Sequence, residues 1–318
     1  MGYRSTIRLF GTAAFLLLCV QANAQSFTLS GTVVDAASGQ PISFAVVEIP
    51  ARHLGVQATE QGTFVLELPA ALVPADSLRA TSLGYRARQF VVPATSPCRL
   101  ALQAAAVALP EAIVRPPGPP TVLGPGADGD KFGFGQGNLR AVGSQGWQIA
   151  RRFETTPAGV VQAVRFYVKP NWQCGKVSAK APFRVRLYAA DGPAGAPGTD
   201  LLTTSILTAA SGKGWHEIDL LRYQIQVPAA GFYVAMEWLY TNDAYGCTYP
   251  FLNSTTKEKK TDYAYGQVLG GYFDLDPPVT WYRSTGHPWQ QFAHRPIPGI
   301  PDKGENRNAA IQAVIQPD

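Results

Sequence analysis

The chain has 318 residues, enough for two folded units each with its own core. Charged residues make up only 15%, while Gly 31 and Pro 26 are both high, a balance that suits many turns and few helices. The formal net charge is +5, of which Arg4 and Arg8 in an acid-free leader supply two, leaving +3 (5 − 2). That small surplus, with no Lys/Arg stripe interleaved with aromatics, excludes a nucleic-acid binder. The one basic cluster, Lys257-Glu258-Lys259-Lys260, contains its own acid and reads as a solvated loop.

Met1–Ala24 reads as a signal peptide. Arg4 and Arg8 form the positive start, Leu9–Val20 the apolar stretch, and Ala22-Asn23-Ala24 the small-x-small cleavage site. The apolar stretch is short for a bilayer span and is followed by polar Gln21 and Gln25. A lipid anchor on Cys19 is disfavoured, because Leu18 stands where a small residue is needed. The expected product is exported, without a transmembrane segment after cleavage, to the periplasm, the outer-membrane surface or the medium.

Residues 25–104 alternate with period two between turn residues. Phe27, Leu29 and Val33 form one inward set, followed by Ala45, Val47 and Ile49, then Phe64, Leu66 and Leu68. Ser38-Gly39, Gly62 and Gly84 mark the turns, the pattern of a small antiparallel sandwich. Gly31-Thr32-Val33-Val34-Asp35, Gly39-Gln40-Pro41-Ile42, Ala45–Ile49, Gly62-Thr63-Phe64 and Ser82-Leu83-Gly84-Tyr85 carry a resemblance here. This stretch resembles the carboxypeptidase regulatory-like domain found before the plug of TonB-dependent outer-membrane receptors of Bacteroidetes. The resemblance implies a Greek-key, prealbumin-like β-sandwich.

Residues 105–146 read as a linker. Leu109–Val114 resembles the hydrophobic-acidic box that joins the regulatory-like domain to the plug in those receptors, but no plug or barrel follows. Instead come the stiff Arg115–Pro120 and a glycine-rich stretch from Gly124 to Gly146. Gly133-Phe134-Gly135-Gln136-Gly137 lacks a nucleotide-binding spacing and reads as loop. The two flanking units are expected to fold independently.

Alternation returns over 147–318. Trp147, Ile149, Arg151 and Phe153 share one face, then Val164, Phe166 and Val168, then Phe183, Val185 and Leu187. Trp215–Leu220, Phe232–Trp238 and Ala309–Ile315 are further strands, with prolines between the runs. The expected fold is therefore all-β: the small sandwich followed by a larger one. Trp147–Phe153, Pro182–Tyr188, Gly195-Ala196-Pro197-Gly198, Gly214-Trp215 and Gly231–Val234 resemble the jelly-roll modules of secreted bacterial proteins. Three cysteines follow the leader, and in an oxidising compartment they imply one bridge and one spare. Cys174 and Cys247 both lie just past expected strands and are the expected pair, leaving Cys98.

Catalytic signatures are missing. None of His53, His216, His287 and His294 has a glutamate three residues on, and no G-x-S-x-G elbow occurs. His216 has Asp219 at that spacing, but on a strand the two face opposite ways. Asp274 and Asp276 before Pro277-Pro278 read as a loop entry. No catalytic residue, metal ligand or cofactor is assigned, although Asp191, Asp219 and Asp243 could hold a structural calcium.

The densest aromatic region lies between Tyr240 and Phe292. Tyr245, Trp281 and Trp289 are the expected stacking groups, with Asn242, Asp243 and Asp274 orienting hydroxyls by hydrogen bonds. Three readings follow: a non-enzymatic envelope protein that binds glycan or a partner protein, an accessory subunit of an outer-membrane receptor complex, or a glycan-active enzyme without recognised motifs.

Overall fold

The computed structural model describes residues 27–68, 76–105, 118–126, 129–138, 145–154, 158–253, 255–294 and 304–317. The leader Met1–Ala24 and the Leu109–Val114 box lie outside the described residues. The described chain is all-β with short 3-10 turns, and none of its helices is long and apolar enough to cross a membrane.

The first unit contains β1 (Phe27–Asp35), β2 (Val46–Ile49), β3 (Leu54–Gln57), β4 (Thr63–Leu68), β5 (Ser77–Thr81), β6 (Arg88–Val91) and β7 (Cys98–Leu102). Two sheets, ordered β4-β1-β7 and β3-β2-β5-β6, face each other. The strand code is visible in β4, where Phe64, Leu66 and Leu68 are buried and the residues between them exposed. Leu29, Val33, Val47, Ile49, Leu66 and Leu78 are all fully buried in one cluster. Phe27, expected inward, is exposed, because it pairs with Leu68 at the end of the β1–β4 ladder.

The second unit begins with β8 (Thr121–Leu123), β9 (Phe132–Gln136), β10 (Gln148–Phe153), β11 (Gly159–Lys169), β12 (Phe183–Ala189) and β13 (Ile206–Thr208). It continues with β14 (Gly214–Asp219), β15 (Phe232–Trp238), β16 (Gly246–Leu252) and β17 (Lys259–Asp274). Last come β18 (Thr280–Arg283), β19 (Gln290–Gln291), β20 (Asn306–Ala309) and β21 (Ile311–Pro317). One sheet runs β13-β12-β15-β10-β18-β19. The other runs β16-β17-β11-β21-β8, with β14 on β11 and with β9 and β20 on β17. Between them lies a second core that includes Ile149, Val164, Phe166, Val168, Phe183, Val185, Phe232, Val234, Met236, Trp238 and Ile311.

Two strands of this unit correct the linker expected over 105–146. Leu123 pairs with Ala313 in β21, and Phe134 pairs with Leu269 in β17. The segment read as a glycine loop is a strand because Phe132 and Phe134 alternate with Gly133 and Gly135. The rings of Phe132, Phe134 and Phe292 pack together, and Phe134 belongs to the second core.

The two units are docked. Leu83, in the β5–β6 turn of the first unit, is part of the second unit's apolar cluster. Gln57 Nε2 donates to Glu237 Oε1 at 2.7 Å, and Gly286 N donates to Glu48 Oε2 at 3.1 Å. The rings of His53 and His287 stack with centroids 5.2 Å apart. Gly55 permits the approach: a Cβ there would lie 2.4 Å from Thr285 Cγ2.

Docking buries the polar outer face of the β12-β15-β10-β18 sheet. The pairing register sets Arg184, Glu237, Gln148 and Arg283 in one row across it, and Arg186, Ala235, Ala150 and Trp281 in the next. In isolation such a face would meet water. Here Arg184 is 2% and Glu237 0% exposed.

Candidate functional site

The structure does not gather the six residues expected from the sequence. Asn242 Oδ1 accepts from Ala244 N at 2.9 Å and caps the short 3-10 turn Asp243–Tyr245. Asp243 Oδ1 accepts from the hydroxyls of Tyr240 and Tyr263, at 2.5 Å and 2.9 Å. Tyr245 packs half-buried against the second core. Asp274 Oδ1 accepts from Asn308 Nδ2 at 3.0 Å, and burial pushes its carboxyl above the ordinary range. These polar groups already serve the fold.

The two tryptophans lie on the docked face. Trp281 stands opposite Ala150 in the register, is 9% exposed, and packs edge-on to Tyr233 with centroids 6.2 Å apart. Trp289 packs edge-on to Tyr188 at 5.6 Å and is partly buried. Trp281 is therefore no open stacking platform, because Ala150, Tyr188, Ala196, Tyr233 and Ala235 of its own unit enclose it. Asp191 accepts from Thr199 N and Oγ1, both at 2.7 Å, and Asp219 Oδ1 from Leu221 N at 2.9 Å. Among the described residues no group of three or more His, Cys, Asp and Glu is placed to hold a metal ion.

The open aromatic surface lies elsewhere, on the turn after β11. Trp172 is 85% exposed beside a groove of about 470 Å³ lined by Gly133, Gly135, Gly137, Lys169, Asn171, Gln173 and Val268. Its turn is tied from within. Asn171 Oδ1 accepts from Gln173 N at 3.1 Å, Asn171 O accepts from Gly175 N at 2.9 Å, and Asn171 N donates to Ser178 Oγ at 2.7 Å. A disulfide joins Cys174 to Cys247 on β16, with Cα atoms 5.2 Å apart. Trp172 is thus held two residues from a covalent tether.

Strand β9 lines the groove. Its phenylalanines pack toward the core, and on the opposite side Gly133 and Gly135 leave room for Val268: a Cβ at Gly133 would lie 2.5 Å from Val268 Cγ1. Lys169 Nζ donates to Phe132 O at 3.0 Å and to Asp130 O at 3.3 Å, fixing its end near β9. Burial, partly opposed by Asp130, holds its pKa below the usual lysine value. An exposed indole beside a groove of glycines and Val268, with amides and an ammonium at the rim, suits a flat ligand with polar edges.

Sequence reading missed this site because Trp172 stands alone between polar residues. The available signal was a large apolar residue out of period, two places before a cysteine. A scan against protein-family models finds no match to this chain, and a search of curated proteins finds no relative.

Proposed function

We propose that the protein is an exported, non-enzymatic binding module of the bacterial cell envelope, and that the Trp172 groove receives a sugar ring. The observation that carries this reading is a tryptophan 85% exposed on a disulfide-tethered turn. Tryptophan is among the residues that most often anchor a contact, and this one stands beside a groove with polar groups at its rim. A rigid indole gives contact area with little side-chain entropy lost, while Gln173 and Lys169 can bond ring hydroxyls. The resemblance of Gly31–Tyr85 to the regulatory-like domain of outer-membrane receptors supports the envelope location, and Met1–Ala24 supports export.

A glycan array probed with the exported protein and with Trp172→Ala tests the reading. Retention of a glycan by the parent, weakened by about 1–3 kcal/mol in the variant at unchanged melting temperature, is the expected result. Equal retention by both chains would remove Trp172 from the site. N-terminal sequencing of the exported protein is expected to begin at Gln25, and an acylated Cys19 would contradict the leader assignment.

A second reading, attachment to an outer-membrane partner, is favoured by β6. This strand ends the β3-β2-β5-β6 sheet, and its Val91 is 85% exposed. Such an edge can accept a strand from another chain. A stoichiometric membrane partner in co-purification would support it.

A further inference from the structure

We propose that the cavity between the two units binds a small organic oxyanion, a carboxylate or phosphate ester of about monosaccharide size, through Arg79, Arg184 and Arg283. This site is separate from the Trp172 groove. It lies against the outer face of the six-stranded sheet, whereas the groove belongs to the eight-stranded one.

The cavity measures about 220 Å³. At roughly 30 Å³ per water it has room for about seven waters. The first unit contributes Glu48 from β2 and Arg79 from β5, which are paired across those strands. The second contributes Arg184 and Arg186 from β12, Asp200, Arg283 from β18 and Trp289.

The charges facing this space do not cancel. Four arginines, Arg79, Arg184, Arg186 and Arg283, meet three carboxylates, Glu48, Asp200 and Glu237, leaving a surplus of one positive charge (4 − 3). Arg186 is saturated: it holds Asp200 with Nε and Nη2 and Glu237 with Nη1, at 3.3, 2.9 and 3.1 Å. Arg184 is not. Only its Nη1 is engaged, at 3.4 Å from each Glu237 oxygen and from Phe44 O, and its Nε is buried without a partner. Arg79 and Arg283 share Glu48, at 3.6 Å and 3.3 Å, and each uses one terminal nitrogen to do so.

Three guanidinium forks with spare donors therefore converge on one partly open cavity. A buried charge without a full set of partners is costly, and a planar oxyanion is the group that a guanidinium fork matches. Burial pulls the Arg184 pKa down in spite of Glu237, as expected where compensation is incomplete. Trp289 at the same cavity offers apolar contact to an organic body carrying the anion. Because the site takes residues from both units, its ligand would hold them together.

The test uses the whole exported chain at constant ionic strength, with thermal unfolding and calorimetric titration. Glucuronate, inorganic phosphate and acetate are the probes, and glucuronamide is the uncharged control. We expect glucuronate or phosphate to raise the melting temperature and to bind with Kd of about 1 mM or tighter, and glucuronamide to have no effect. Saturation by phosphate alone would identify a phosphate ester as the ligand class, and by glucuronate alone a carboxylate. The variants Arg283→Gln and Arg79→Gln are each expected to weaken binding at least tenfold. Arg79 is partly exposed, so its variant retains a fold on which affinity can be read. The proposal falls if no anion binds the parent chain by about 10 mM. It also falls if glucuronamide matches glucuronate, or if binding survives in both variants.

Discussion

At the scale of single residues, Glu237 carries the heaviest electrostatic duty. It accepts from Gln57, Arg184 and Arg186, and it is fully buried. Removing one member of a buried ionic set leaves the others uncompensated. Glu237→Gln is therefore expected to destabilise by about 3–5 kcal/mol in urea unfolding. A loss below about 1 kcal/mol would mean that water reaches the arginines. His216 supplies a pH dependence. Its Nε2 lies 2.9 Å from Thr208 Oγ1, and burial lowers its pKa from 6.5. The fold thus favours the neutral ring. The stabilising contribution is complete above 6.5 and is lost as pH falls through the lowered folded value. The parent is expected to lose more stability than His216→Gln between about pH 6.5 and pH 5, and equal loss would discount the residue. Residues such as Leu29, Val33 and Phe183 were legible as core from alternation alone. Trp172 was not, since a lone aromatic carries no period to reveal its exposure.

At the scale of elements, the Cys174–Cys247 bridge closes a loop across 73 residues between the turn after β11 and β16. The chain-entropy treatment assigns such a loop about 4 kcal/mol. Replacing both cysteines by alanine is expected to cost about that much in unfolding free energy and to loosen the turn that carries Trp172. Unchanged stability under reducing and oxidising conditions would argue that the bridge does not form in solution. Strand β3 sets up a sharper test. Gly55→Ala drives a methyl into Thr285 Cγ2, and overpacking of this kind costs about 1–3 kcal/mol. Thr285→Ser deletes that methyl group and keeps the hydroxyl that donates to Gln145 O at 2.8 Å. The double variant should recover most of the stability lost by Gly55→Ala, and failure to do so would place the strain elsewhere. Strand alternation in β4 and β15 was readable, whereas β9 was read as loop. Three glycines in the five residues from Gly133 outweighed the two-residue repeat of Phe132 and Phe134, and only pairing with β17 settles the matter.

At the scale of the whole molecule, two separate apolar cores are joined by a charged contact. The sequence of β12 shows Arg184 and Arg186 alternating with Phe183, Val185 and Leu187, and alternation alone assigns those arginines to solvent. That they are buried depends on a second unit covering the sheet, which no local pattern states. Fragments 25–105 and 106–318 produced separately are expected to associate in solution, with Glu237→Gln weakening the complex. Absence of any association in sedimentation or calorimetry would make the docked contact dependent on the connecting segment.

The polarity of that contact also bears on how the chain is assembled. Strands β1 to β7 are complete by Leu102, whereas the second unit cannot close its large sheet until β21 arrives between β11 and β8. During that wait, the sheet face that will meet the first unit presents Arg184, Arg186, Glu237 and Arg283 to water. A greasy face of the same extent would recruit neighbouring half-made chains. An ion-rich one stays hydrated, so the unfinished protein can pause without clumping and dock once its second sandwich has closed.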